Sequence, residues 1–316
     1  MGLDLLDLPV RLTWDLHGSG QPLHDADMLA VAGRIAAGGV FFVTLERQPL
    51  AHAAIIKILE VLQAGGCQVR AVCSGTEQEL TALEKLPGVL PSVQLDAAAF
   101  LSAGVLDETQ LRETFIHLRQ AGIEPSLSMV PTKSNLPVIP RILKLCLMLE
   151  AQCFKLPNAR IGDTFPSVAP AELPRWPDLD DFRVIWARHD PELSGQLHLE
   201  IHDRFLWEIM TPGTDQARGE YGGCQAANSL GHVDAVGTVY ACAAWPEPLG
   251  SLSSLDLETI WQAPQRFAVR ERIEQTPVGC LGCRDYPLCL GGCRGLSTLL
   301  GQNGAGRDLM CREPRQ

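Results

Sequence analysis

The segment CLGCRDYPLCLGGC, residues 280–293, packs four thiols into one short run, and Cys224, Cys242 and Cys311 flank it. The pattern reads Cys224-x17-Cys242, then Cys280-x2-Cys283-x5-Cys289-x3-Cys293, then x17 to Cys311. Close pairs such as Cys280 and Cys283 reach one inorganic centre from a single turn, and more distant cysteines complete the coordination as loops fold back. Thiolates at these spacings suit iron–sulfur clusters, or zinc held by four cysteines or by three with a histidine, and ligand types alone do not choose between them. Gly291 and Gly292 remove bulk beside Cys293, which lets backbone approach a large centre and aim N–H groups at sulfur.

The chain that must position these thiols has 316 residues, 46% hydrophobic and 20% charged, ordinary values for a globular protein of one large α/β unit or two domains. Its opening, MGLDLLDLPVRLTW, has neither a cationic start nor an uninterrupted apolar core and fits no secretory signal. The most apolar helix-like stretch, 136–154, is interrupted by Pro137, Pro140, Arg141 and Lys144 and does not read as a membrane span. A cytoplasmic location is the expectation, and there an odd total of 11 cysteines reads as core thiols and metal ligands rather than a disulfide framework. The net charge of −11, with no basic patch interleaved with aromatics, argues against nucleic acid as a partner and reads as a solubility device.

Three segments share one design, a helix running into glycine and then a short apolar strand: AAGGVFFVTL (36–45), QAGGCQVRAVC (63–73) and QAGIEPSLSMV (120–130). Filling the intervals predicts strands near 10–14, 40–45, 68–73, 92–96, 124–130 and 152–156, with helices between them. Asp27 before MLAVAGRIA and the acidic opening of DETQLRETFIHLRQ (107–120) mark two helix starts. Near-continuous apolar strands predict a parallel sheet covered by helices, either doubly wound or part of a β/α barrel. Prolines at 166, 170, 174, 177 and 191 interrupt any helical period and predict a linker over 165–195, between a domain at 1–164 and one at 196–316. HDRFLWEIM (202–210) reads as a packed helix with Phe205, Leu206 and Ile209 on one face, and Cys67, Cys73, Cys146 and Cys153 read as buried core.

Gly237-x4-Cys242, the following LGSLSSLDLETIW (249–261), the C-x2-C-x5-C-x3-C run and the final Cys311 resemble the SPASM domain. That domain is the auxiliary iron–sulfur module at the C-terminus of many peptide-modifying radical S-adenosylmethionine (SAM) enzymes. The resemblance implies an α/β fold class: a partial (β/α)6 radical-SAM-like barrel followed by a small cysteine-rich domain with two 4Fe–4S clusters. It assigns Cys280, Cys283, Cys289 and Cys311 to one cluster and gives the other three ligands, Cys224, Cys242 and Cys293. Two full cubes need eight ligands. The eighth place falls to His232 or Asp234, or stays open to solvent, a substrate or a partner's side chain.

An active radical SAM enzyme carries C-x3-C-x2-C just after its first strand, yet the corresponding LTWDLHGSGQPLHDADML (12–29) has no cysteine. VRLTW, AVCSGT (71–76), QLDAAAF (94–100) and MVPTKSN (129–135) still resemble the first strand and the strand exits of that fold. The family's Gly-Gly-Glu-Pro is replaced by Thr44-Leu45-Glu46-Arg47-Gln48-Pro49, with Glu46 expected as a solvated strand-end carboxylate and His17 and His24 as loop residues. Without the thiolate triad no residue delivers an electron into the sulfonium of SAM, so neither SAM cleavage nor SAM binding is expected. The resemblance therefore implies an accessory protein of a radical SAM peptide or protein modification system, relaying electrons or docking a peptide substrate. It is similar to the SPASM-domain proteins of GeoRSP cassettes, whose implied partners are an active radical SAM/SPASM enzyme and a PqqD-like peptide-binding protein. The alternatives are a stand-alone iron–sulfur enzyme using an open iron and a zinc-stabilised scaffold.

Overall fold

A computed structural model of the chain describes residues 5–18, 23–86, 88–90, 92–160, 168–189, 197–211, 223–300 and 306–312. Strand and helix alternate from the start: β1 (Arg11–Asp15), α1 (Asp25–Ala37), β2 (Phe42–Glu46), α2 (Ile55–Ala64), β3 (Gln68–Cys73), α3 (Glu77–Leu83) and β4 (Ser92–Asp96). A short hairpin of β5 (Leu101–Ser102) and β6 (Val105–Leu106) precedes α4 (Glu108–Gln120), β7 (Glu124–Ser128), α5 (Ile139–Met148) and β8 (Cys153–Leu156). The glycine design works as read from the sequence: Gly39, Gly66 and Gly122 take positive φ of 67°, 86° and 77°, a conformation L side chains resist, and turn each helix into its strand. Asp107 caps α4 through its carboxylate, 2.9 Å from the Gln110 N–H. Helix α1 begins at Asp25, so Asp27 stands inside its first turn rather than before it.

Beyond α6 (Trp176–Trp186) come β9 (His198–Ile201), α7 (Arg204–Met210), β10 (Leu230–Val233), β11 (Thr238–Tyr240) and β12 (Pro248–Ser251). The chain continues with α8 (Leu257–Trp261), α9 (Pro264–Glu274), α10 (Tyr286–Cys289) and α11 (Arg294–Leu299). Helix α6 corrects the expectation of a stretch without helical period. Pro177 sits in its first turn, where a missing N–H costs nothing, and Leu179, Phe182 and Trp186 bury one face. Helix α7 packs as expected through Leu206 and Ile209, while Phe205 is only half-buried.

One 10-stranded sheet runs β12-β11-β10-β1-β2-β3-β4-β7-β8-β9. From β10 through β1 to β9 every pairing is parallel, and only β11 and β12 are antiparallel. The order from β1 to β9 never reverses, whereas a doubly wound sheet needs a reversal at its switch point. Right-handed crossovers that always step the same way leave their helices on one face. The other face is polar, which corrects the reading of near-continuous apolar strands. Leu12, Trp14, Val43, Leu45, Val69 and Ala71 are buried, while Thr13, Thr44 and Arg70 form a cross-strand row in register, and Asp15 stands opposite Glu46. The alternation has period two because only one side of this sheet is apolar.

Among the described residues, no helix is long and apolar enough to cross a membrane. The 136–154 stretch folds as a short 3-10 turn, α5 and the start of β8.

Candidate metal centres

Cys280, Cys283, Cys289 and Cys311 line one small pocket together with Phe205, Gly291 and Arg307. Tight local turns produce this: the Cys280 N–H donates to the Pro277 carbonyl (2.8 Å), that of Cys283 to the Cys280 carbonyl (3.1 Å), and that of Cys311 to the Asp308 carbonyl (3.2 Å). The backbone N–H of Gly291 donates to the Cys289 sulfur. Burial raises the thiols of Cys280, Cys289 and Cys311, the last to about 12, and neighbouring thiols of the group raise each further.

Cys224, Cys242 and Cys293 line a second, larger cavity of about 360 Å³. Backbone N–H groups stand near these sulfurs and favour the thiolate form: Ala226 and Arg294 at Cys224, Ala244 and Trp245 at Cys242, Leu296 at Cys293. Burial raises all three thiols, Cys242 to about 12, and Cys293 also feels Asp308 and both other thiols. The carriers of these cysteines are irregular loops, and buried guanidinium forks hold them. Arg270 donates to the carbonyls of Cys224 (2.8 Å) and Ala226 (2.9 Å), and Arg266 to those of Ala227 (2.9 Å) and Trp261 (3.2 Å). At Gly292 a Cβ would stand 2.4 Å from the Asp308 carboxylate, which instead accepts the Cys293 N–H at 2.6 Å. The glycine thus makes room for the group that fixes Cys293.

The two candidates for an eighth ligand lie on β10 and in the turn that follows it. His232 lies on β10, fully buried, with Nδ1 2.8 Å from the Thr13 hydroxyl and Nε2 3.7 Å from Asp15. Asp234 is engaged in the β10–β11 turn, accepting the N–H groups of Val236 (3.0 Å) and Thr238 (2.8 Å) and the Tyr240 hydroxyl (3.3 Å). The donor sets fit iron–sulfur clusters: sulfur ligands in two groups, backbone N–H groups aimed at four of them, and Arg294 and Arg307 nearby to balance charge.

The larger cavity reaches the C-terminal ends of the central strands, where sequence reasoning missed the main feature. Arg160 binds Asp15 (2.8 Å) and also pairs with Glu46, and Arg47 lies 3.5 Å from Asp15. Glu46 is therefore a half-buried ion-pair member and not a solvated carboxylate. Burial raises the Asp15 carboxyl, and Arg160 pulls it back. No motif announces Arg160, and its partners lie far away in the chain. His17 bonds the Arg47 carbonyl through Nδ1 at 2.9 Å, and His24 is exposed before α1. Residues 19–22 of the cysteine-free segment lie outside the described residues.

Two imidazoles, His232 fully buried and His202 half-buried, set an acid limit. Burial, then Arg160 and Arg47, hold His232 well below its usual value, and burial, then Lys155, bring His202 down to about 4. A base whose folded pKa is depressed stabilises the fold above the unfolded value and loses that contribution as pH falls toward the folded value. The melting temperature should drop as pH falls from 6.5 toward 4. His202→Gln should flatten that drop by a term on the order of 3 kcal/mol, read by melting curves across pH. An unchanged slope would assign the acid limit elsewhere.

No known family profile matches the chain. An AdoMet-dependent heme synthase of Oleidesulfovibrio alaskensis is 25% identical over 211 residues, 63% of this chain and 54% of that protein. The chain thus spans about half the length of that relative. Streptococcus suis SuiB bound to S-adenosylmethionine superposes with a TM-score of 0.70 at 14% identity, covering 98% of this chain and 78% of SuiB. SuiB bound to its precursor peptide SuiA gives 0.68 at 14% identity, covering 98% of this chain and 77% of that one. Native anSMEcpe with bound AdoMet also gives 0.68 at 14% identity, covering 96% of this chain and 94% of that one. The chain has an α/β fold built on a mostly parallel sheet, similar to the folds of SuiB and anSMEcpe.

Proposed function

We propose that the chain is an iron–sulfur accessory protein of a radical SAM peptide or protein modification system, without a SAM-cleaving cluster of its own. In this reading residues 1–164 are a partial (β/α)6 barrel, 165–195 a connection and 196–316 a SPASM-type module. One 4Fe–4S cluster rests on Cys280, Cys283, Cys289 and Cys311, and a second on Cys224, Cys242 and Cys293. The observation that carries the proposal is the division of these thiols between two cavities, with backbone N–H groups directed at the Cys224, Cys242, Cys289 and Cys293 sulfurs. The unreversed strand order supports the barrel.

Spacing supports clusters over zinc. Four thiolates on one tetrahedral zinc stand roughly 3.8 Å apart. Among the described residues, no three of these cysteines have sulfurs all within 4.8 Å of one another. Bound clusters would supply one-electron redox chemistry. The chain's own part is to hold the thiolates, direct N–H groups at sulfur and fill the strand ends with the Asp15–Arg160–Glu46 ion cluster, where the family reading would look for SAM. That cluster supports the absence of SAM binding, because a guanidinium already neutralises the carboxylates there. A peptide is the substrate class, as for SuiB with its precursor peptide. The partners are an active radical SAM/SPASM enzyme and a PqqD-like protein, as in GeoRSP cassettes. A second reading, a stand-alone iron–sulfur enzyme, draws on the cavity of about 360 Å³ beside the three-thiol set and predicts turnover without a partner.

Anaerobically prepared protein should contain about eight iron and eight sulfide per chain and little zinc. Incubated alone with SAM and a strong reductant, it should yield no 5′-deoxyadenosine. Formation of that product would falsify the accessory assignment, and zinc without sulfide would end the cluster assignment.

A further inference from the structure

The proposed function leaves one group of side chains unused, at the N-terminal ends of β8 and β9. Cys153 opens β8 and His198 opens β9, and the two are direct partners in the parallel register. Glu200 follows two positions later on the same face. The Cys153 sulfur, a ring nitrogen of His198 and a carboxylate oxygen of Glu200 all lie within 4.8 Å of one another. Among the described residues, no other three cysteine, histidine or acidic side chains meet that spacing. Cys153, read from the sequence as core, is buried at 6% exposure, whereas the His198 side chain is 69% exposed and that of Glu200 24%.

Sulfur, imidazole and carboxylate are the donor types of zinc-class ions, and three protein ligands with a free fourth place is how such ions bind where solvent reaches them. Ligand atoms on a tetrahedral ion stand roughly 3.3–3.8 Å apart, so closing this triangle needs only side-chain adjustment. Burial and then the Glu200 charge raise the Cys153 thiol to about 11, while Arg70, Lys155 and the Glu200 N–H pull the other way, so an ion must displace the thiol proton and compete with those two cations. We infer that Cys153, His198 and Glu200 form a site for one zinc-class divalent cation, with the fourth position open to solvent. The ion would tie β9, the last strand of the sheet, to β8. Asp15 and Glu46 stand at the opposite ends of their strands, so the site is separate from the cavity discussed above and does not rest on the cluster assignment.

The test uses full-length protein with its clusters loaded anaerobically, freed of loose metal by a chelator and titrated with Co(II). The chain should bind one equivalent, with a thiolate-to-cobalt band in the difference spectrum and a rise in melting temperature. Cys153→Ala and His198→Ala should each abolish the band and weaken binding by more than the roughly 100-fold that loss of an outer partner costs. Acid-labile sulfide should stay at the parental level in both. Absence of cobalt binding by the cluster-loaded parent, or a band of full intensity in the cluster-loaded His198→Ala variant, overturns the site.

Discussion

Arg160→Met should destabilise the fold by about 3–5 kcal/mol, the range expected when one partner of a buried ion pair is removed and the other is left uncompensated. The side chains concerned are only 11% (Arg160), 3% (Asp15) and 23% (Glu46) exposed, so water cannot take the place of the guanidinium at Asp15. Arg47, 3.5 Å from Asp15, is a partial substitute at best. The pH dependence follows from Asp15, whose carboxyl is already raised by burial and is lowered by Arg160. Without Arg160 it rises further. A carboxyl with a raised folded pKa contributes stability below its unfolded value and loses it as pH climbs through the folded one, so the deficit of the variant should shrink in acid. His232 adds in the same direction, because Arg160 is one of the charges that hold it neutral. Denaturant titrations of parent and variant at two pH values measure this. Adding Asp15→Asn and Glu46→Gln to Arg160→Met should recover much of the loss, and a deficit independent of pH would show that the arginine acts through packing.

How much of this was visible in the chain depends on how local the cause is. Helix–glycine–strand units announce themselves because cap and strand are adjacent, and β2, β3 and β7 fall where AAGGVFFVTL, QAGGCQVRAVC and QAGIEPSLSMV put them. The polar face is also written there, as alternation in RLTWD, FVTLE and QVRAVC, but an apolar residue directly before each strand, Val10, Phe41 or Cys67, masks the period. Prolines at 174 and 177 read as breakers, although Pro177 merely opens α6. His232 stands beside Thr13 because β10 pairs with β1, and nothing near it in the sequence tells of that pairing. The ion cluster of Arg160 with Asp15 and the triangle at Cys153 are invisible for the same reason. Register across a sheet assembles them, and no spacing in sequence encodes it. The C-terminal cysteines are the opposite case, since turns of two to five residues bring most of one set together without help from distant elements.

Cys283→Ala together with Cys289→Ala should lower the iron and sulfide content from about eight to about four of each per chain. A single replacement is not a fair test, because the other site is proposed to hold its cluster on three thiolates, so one loss at the first could leave a cube in place. Cys283 and Cys289 are the right pair because both are half-buried, whereas Cys280 is packed inside and its loss would confound ligation with a cavity. The mirror pair, Cys224→Ala with Cys293→Ala, should remove the other half and leave the first signal intact. If either double variant lost all its iron, the division into two centres would be wrong. Proton release gives an independent handle. Burial holds the thiols of Cys242 and Cys311 at about 12, so both are protonated in the metal-free chain at neutral pH and must ionise to bind metal. Reconstitution should therefore release protons and proceed further as pH is raised from neutral into the mildly alkaline range. The N–H groups on the Cys242 sulfur then have a defined job, stabilising a thiolate that the surrounding protein otherwise disfavours. That balance would keep these thiols unreactive when empty and available to a metal centre when one is offered.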